Sequence, residues 1–187
     1  IGAFPAPDNF PVYQETTDPN WVVTSSDIKV LNCYIEEACR CVITGNNPSG
    51  VLLQEALDMW GVDGFEVAHN TLKNNHKEGI DCKDGSRNGI IHHNTVNCVN
   101  PEGGYSYSGP GIYIDGGHGH IYNIEIYNNE VFNNNAEDIT YEWSLPNGIA
   151  ISDEVVQNPE NTVDGVKIYN NVEIGRASCR ERVCHRV

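Results

Sequence analysis

Four stretches of this chain open on Gly and then place aliphatic or Cys residues at alternate positions: Gly50-Val-Leu-Leu-Gln-Glu, Gly79-Ile-Asp-Cys-Lys-Asp, Gly111-Ile-Tyr-Ile-Asp-Gly and Gly148-Ile-Ala-Ile-Ser-Asp. Alternation of that kind is the period of a β-strand. Each stretch leads to a second alternating run that ends at an Asn turn: Phe65-Glu-Val-Ala-His-Asn, Gly89-Ile-Ile-His-His-Asn, Ile124-Glu-Ile-Tyr-Asn-Asn and Val166-Lys-Ile-Tyr-Asn-Asn. The turn residues Asn70, Asn94, Asn129 and Asn171 are 24, 35 and 42 residues apart. A repeat whose strands recur while its spacing varies keeps its insertions in loops. The junctions are mostly longer than the tight Asn-Gly turns that pair the strands of an antiparallel sandwich, and no helical period separates the strands. The expectation is an all-β parallel solenoid. Alternation then turns Ile80, Cys82, Ile112, Ile114, Ile149 and Ile151 inward, and Asp81, Lys83, Tyr113 and Asp115 outward. The recurring Asn tolerates left-handed backbone angles and is expected to hydrogen-bond to the Asn of the next coil.

Aligned from the Gly, the outward columns read Leu52, Asp81, Tyr113, Ala150, then Gln54, Lys83, Asp115, Ser152, with Glu55, Asp84, Gly116 and Asp153 at the strand ends. Coils stack about 4.8 Å apart, so this face reads as a continuous acidic patch holding one Lys. As one outward side chain, Lys83 is expected to contribute little packing.

Charge narrows the partners. Eleven Lys and Arg stand against 26 Asp and Glu, a formal net charge of −15. A surface of that sign is not expected to bind nucleic acid, which needs basic side chains to neutralise phosphates. No apolar run approaches the roughly 20 residues of a membrane helix, so no membrane contact is expected. The chain opens at Ile1 with neither Met nor a signal peptide and is read as an internal or processed fragment, truncated at its C-terminus as well.

The final residues break the pattern. Ile174-Gly-Arg-Ala-Ser-Cys-Arg-Glu-Arg-Val is rich in Arg, does not alternate, and resembles a short-read sequencing adapter translated in one frame. The expected division is a lead-in over residues 1–26, the solenoid over 27–173 and an extraneous tail over 174–187. The tail holds 4 of the 11 basic residues and 1 of the 26 acidic ones, leaving 7 against 25, or −18, for the rest.

Five Cys remain outside that tail, and Cys82 on an inward position reads as a buried free thiol. Cys39-Arg-Cys41 has no second pair at zinc-site spacing. Gly116-Gly-His-Gly-His120 is similar to the Gly-His-Gly of polygalacturonases, but that family's Asn-Thr-Asp and Asp-Asp motifs are absent, so it is read as a flexible turn. His69, His92 and His93, beside the Asn turns, are read as loop hydrogen-bonding residues and not as metal ligands.

The strands Gly79-Ile-Asp-Cys-Lys-Asp-Gly85, Gly111-Ile-Tyr-Ile-Asp115 and Ile126-Tyr-Asn-Asn-Glu-Val131 resemble the right-handed parallel β-helix, the pectate-lyase-like fold, over roughly residues 27–172. That fold carries lyases, hydrolases, esterases and adhesins, so it does not fix an activity. The stretch Glu78-Gly-Ile-Asp-Cys-Lys83-Asp with Asn94-Thr95 is also similar to the Lys-bearing strand of polysaccharide lyase family six. It departs from that family at Asp115, where those enzymes have Arg.

The resemblance implies a monomeric, secreted or periplasmic protein with polysaccharide as its partner. Three functional readings follow. In a calcium-assisted lyase acting on uronate chains, Lys83 would be the base and Asp115 its catalytic companion. Calcium would sit on Asp81, Asp84 and Asp153, and Tyr113, Tyr105, Tyr107 and Arg87 would hold the sugar. Without the metal, neighbouring acids would keep Lys83 charged and oppose a base. In a glycoside hydrolase, paired carboxylates such as Glu55 with Asp84, or Asp84 with Asp153, would do the work. In a noncatalytic solenoid, the acids would be a solvated face and the aromatics a sugar-binding or covering surface.

Overall fold

The computed structural model describes residues 25–36, 38, 55–75, 78–97, 110–116, 119–132, 148–152 and 163–174. Every regular element among them is a strand. In chain order these are β1 (Ser25–Leu31) and β2 (Tyr34–Glu36), then β3 (Leu57–Trp60), β4 (Val62–Ala68) and β5 (Thr71–Lys73). The next coil holds β6 (Ile80–Lys83), β7 (Arg87–His92) and β8 (Thr95–Asn97), and the one after it β9 (Ile112–Asp115), β10 (Ile121–Tyr127) and β11 (Glu130–Phe132). The last holds β12 (Ile149–Ser152), β13 (Val163–Asp164), β14 (Lys167–Tyr169) and β15 (Val172–Ile174). No helix among the described residues is long and apolar enough to cross a membrane.

Three sheets result. Sheet A is ordered β1-β4-β7-β10-β13 with β14 also on β10, sheet B is β2-β5-β8-β11-β15, and sheet C is β3-β6-β9-β12. All pairings are parallel, each strand lying beside its counterpart one repeat later. Parallel neighbours need a crossover, and here strands of the other two sheets supply it. The chain passes through C, A and B in turn and then repeats.

Aliphatic columns fill the space between the sheets. Ile80, Cys82, Ile112 and Ile114 come from sheet C, Val67, Ile91, Ile124 and Ile126 from sheet A, and Leu72, Val96 and Val131 from sheet B, all of them buried. Each such side chain contributes about 1.5–3 kcal/mol by leaving water. Ile149 packs on this core. Ile151, read as inward, is 42% exposed because β12 is the outermost described strand of sheet C. Ile168, Tyr169 and Val172 of the same last coil are exposed as well.

Sheet A carries a device that the alternation does not announce. Gly89 and Phe65 are paired across β4 and β7, and a Cβ on Gly89 would stand 2.0 Å from Phe65 Cζ. The aromatic ring of one coil fills the place of a missing side chain on the next. A left-handed residue also interrupts each sheet A strand: Asp27, Gly64, Asn88, Asn123 and Gly165 all have positive φ. This column kinks the sheet without ending it.

The Asn turns form a ladder. Asn70 donates from its backbone N and its Nδ2 to Asn94 Oδ1, both at 3.0 Å. Asn94 does the same to Asn129 Oδ1, and Asn129 to Asn171 Oδ1. Each Nδ2 also donates to a main-chain oxygen, of Val30, Val67, Ile91 and Ile126 in turn. The residue before each ladder position is left-handed, in the column Asn32, His69, His93, Asn128 and Asn170.

Two readings of the outer face of sheet C need correction. Asp81 and Tyr113 occupy outward positions, yet they are only 2% and 3% exposed, so these two side chains are covered and not solvated. The register of the first repeat also differs from the Gly-based alignment. Asp58 pairs with Asp81 and Trp60 with Lys83, which sets Glu55 in the column of Glu78. Residues 50–54, including Leu52 and Gln54, lie outside the described residues. Ala56 takes the place of the Gly, and the repeat that counts is Glu-x-Leu/Ile-Asp.

Candidate functional site

The outer face of sheet C gathers charge around Lys83. Its Nζ lies 3.1 Å from Glu55 Oε1, 3.2 Å from Asp58 Oδ2 and 3.2 Å from Asp81 Oδ2. It also stands 5.1 Å from the centre of the Trp60 ring. Two strand positions produce this: Asp58 and Trp60 project from β3, Asp81 and Lys83 from β6, each pair in register. Glu55 enters from the residues just before β3. The Lys83 side chain keeps 16% of its surface, and so does Asp58, while Glu55 and Asp81 are almost closed off.

Burial works against charge here, and it is unevenly offset. It pulls the Lys83 ammonium towards neutrality, but Asp81, Asp58 and Glu55 outweigh that and hold its pKa well above the ordinary value. Burial raises Asp81 strongly, with Lys83 opposing and Asp58, Glu55 and Glu78 adding to the rise. Asp81 Oδ1 has no hydrogen-bond partner among the described residues. Asp84 is pushed up to about 7, chiefly by burial, with Lys83 opposing, Asp58 and Glu55 adding, and a hydrogen bond from Trp60 opposing. Among the described residues, one cation thus stands among five carboxyl groups, and burial leaves some of them inclined to hold protons.

The arrangement can move protons at a carboxyl near neutral pH. It does not offer a neutral amine. Asp81 and Asp84 carry the hard oxygen donors that calcium takes, but Lys83 fills the centre of the cluster, within 3.2 Å of three carboxylates. A dication in the same place would have to displace that ammonium. In this geometry the acids are held by Lys83.

The other sequence-derived site residues divide as follows. Asp115 stands beside Lys83 in β9, and Tyr113 beside Asp81. Arg87 belongs to sheet A, where its Nε pairs with Asp63 Oδ2 at 2.9 Å, so it is not on the Lys83 face. Asp153, Tyr105 and Tyr107 lie outside the described residues, as do residues 175–187. Ile174, placed in the tail by the sequence, closes β15 opposite Phe132. Cys82 is a buried free thiol whose pKa is raised by burial, which makes it a poor nucleophile.

The sequence reading missed Asp58, Trp60 and the pairing role of Glu55. The repeated Glu55-Ala-Leu-Asp and Glu78-Gly-Ile-Asp was the signal that would have found them. It also kept His69, His92 and His93 apart as loop residues, although counting back from the Asn turns sets His69 on His93.

The chain matches no protein-family model, no curated protein and no solved structure.

Proposed function

We propose that the chain is a right-handed parallel β-helix of the pectate-lyase-like kind that acts on polysaccharide along the outer face of sheet C, by hydrolysis with carboxyl groups and not by elimination with Lys83. The hand is supported by the rule that crossovers between parallel strands of one sheet are right-handed in about 98% of cases. The observation that carries the chemistry is the contact of Lys83 with three carboxylates. An ammonium so held cannot take a proton from a sugar, whereas the carboxyl groups around it can give and receive one.

In this reading Asp84 is the general acid, since its pKa of about 7 keeps a proton available near neutrality. Asp58, fixed by Lys83 and keeping part of its surface open, is the ionised partner. Trp60, over the Lys83 ammonium, offers a ring for sugar stacking. The substrate is a neutral sugar chain. Every Lys and Arg among the described residues is already ion-paired with a carboxylate, so none is left to receive a uronate.

The test is an assay on neutral and uronate-containing polysaccharides, each with calcium and with chelator. New reducing ends from a neutral chain, without the ultraviolet absorbance of an unsaturated uronide, are expected. Asp84→Asn should abolish them while leaving the circular dichroism spectrum unchanged. Unsaturated products from a uronate chain would replace this reading with the lyase. No product from any chain, with or without binding, would leave a noncatalytic solenoid.

A further inference from the structure

Away from the acidic face, the turn between sheets A and B brings three imidazoles together. One ring nitrogen or the other of His69, His92 and His93 lies within 4.8 Å of each of the others. His69 ends the strand segment of one coil, and His92 and His93 end that of the next. The rings of His69 and His93 stack at 5.0 Å, and His92 lies edge-on to both, at 5.6 Å and 5.1 Å.

The left-handed backbone does not call for imidazole at this place. Asn fills the same column at Asn32, Asn128 and Asn170 with the same φ sign as His69 and His93. The column before it holds Leu31, Ala68, His92, Tyr127 and Tyr169, so His92 is a third departure on the same two coils.

Hydrogen bonds set the ring protons. Asn128 Nδ2 donates to His93 Nε2 at 3.3 Å, leaving the His93 proton on Nδ1. That proton is shared with His92 Nδ1, 2.8 Å away. The proton of His92 then sits on Nε2, facing Glu66 Oε1 at 3.3 Å. Glu66 in turn is held by Lys29 at 2.7 Å. A carboxylate on the far nitrogen of a His, freeing the near one, is the usual outer support of a metal-bound imidazole.

We propose that His69, His92 and His93 form a binding site for a borderline divalent transition cation such as zinc, linking two adjacent coils. Imidazole nitrogens suit such ions and not calcium or magnesium. Zinc bonds nitrogen at about 2.0 Å, so neighbouring ligands in its shell stand roughly 3.3 Å apart. The His92–His93 pair must open slightly from 2.8 Å and His69 close in, movements within reach of χ rotation on the exposed His69 and His93 rings. His93 binds through Nδ1 once its proton shifts to Nε2 and the Asn128 amide turns to accept it. The fourth position is left to solvent.

The test uses the whole chain and zinc alone, by calorimetry, with cobalt as a spectroscopic substitute. Variants come from the chain's own columns so that the fold is kept: His69→Asn with His93→Asn, and His92→Tyr. Expected are one zinc per chain at this site, a tetrahedral cobalt spectrum without thiolate charge-transfer bands, and binding weakened at least about tenfold in either variant. Glu66→Gln should weaken it by about tenfold through the outer support. Unchanged affinity in both column variants, a thiolate-type cobalt spectrum, displacement of zinc by equimolar calcium, or no zinc binding at all would overturn the proposal. None of these readouts depends on activity towards polysaccharide.

Discussion

Replacing Asn94 by Ala tests whether the ladder holds the coils together or only decorates the turn. Asn94 is 1% exposed and its side chain makes four hydrogen bonds. It accepts from Asn70 N and Asn70 Nδ2 at 3.0 Å each, and donates to Val67 O at 2.8 Å and Asn129 Oδ1 at 3.0 Å. In a buried place each bond is worth about 1 kcal/mol net, and each partner left without one costs about 1–3 kcal/mol. The backbone N–H of Asn70 and the carbonyl of Val67 lose partners that the Ala methyl cannot replace. The expected loss is therefore about 4–6 kcal/mol, a large share of the roughly 5–15 kcal/mol that holds a typical domain.

Asn171 is the internal control. It accepts from Asn129 N and Nδ2 and donates to Ile126 O, but in a part-buried setting where water can stand in. Asn171→Ala should cost about 1–2 kcal/mol. Urea unfolding followed by far-ultraviolet circular dichroism and by Trp fluorescence measures both. A loss below about 1 kcal/mol for Asn94→Ala, or one no larger than for Asn171→Ala, would refute the reasoning.

Three further outcomes are expected. Gly89→Ala drives a methyl into the Phe65 ring, so it should cost about 1–3 kcal/mol in urea unfolding, and Phe65→Leu in the same chain should recover part of that. Lys83→Met leaves three carboxylates facing one another and should cost about 3–5 kcal/mol at neutral pH, shrinking as acid protonates them; an unchanged midpoint would mean that the ion cluster does not hold sheet C. Asp84 has a native pKa of about 7 against 3.8 for an ordinary Asp, so the native state binds more protons between them and its contribution falls as pH rises from about 4 to about 7. Asp84→Asn should flatten that slope, while the raised Lys83 contributes throughout this range and is lost only above the ordinary Lys value.

What was legible in the sequence was what repeats by residue type. Ile80, Ile112 and Ile149 share a column because each follows the Gly that opens its strand, and Asn70 through Asn171 are the same residue doing the same thing. The strand register of the first coil was not legible from Gly, since Ala56 replaces it and the anchoring identity shifts to Glu55 and Asp58. The kink column was hidden by chemistry, because Asp27, Gly64, Asn88, Asn123 and Gly165 satisfy one backbone angle with three residue types. The covered state of Asp81 and Tyr113 could not be read from alternation, which separates inside from outside of a sheet but not outside from solvent. For the same reason Lys83, expected to contribute little, proves to be held on three sides.

The ladder also has a direction. In every rung the earlier Asn donates and the later one accepts, so Asn94 turns its oxygen to Asn70 and its amide hydrogens to Asn129. The side-chain dipoles are therefore aligned head to tail along the stacking axis, and each polarises the next. Such a column behaves as a poled rod, with its oxygen ends towards the first coil and its amide hydrogens towards the last. At the later side the column ends in an amide donor, while at the earlier side the Asn70 oxygen is met by the backbone N–H of Cys33, so the two ends of the column are electrically unlike. Growth of the stack is then vectorial: an Asn already in place selects, by the sense of its amide, how the following Asn must enter.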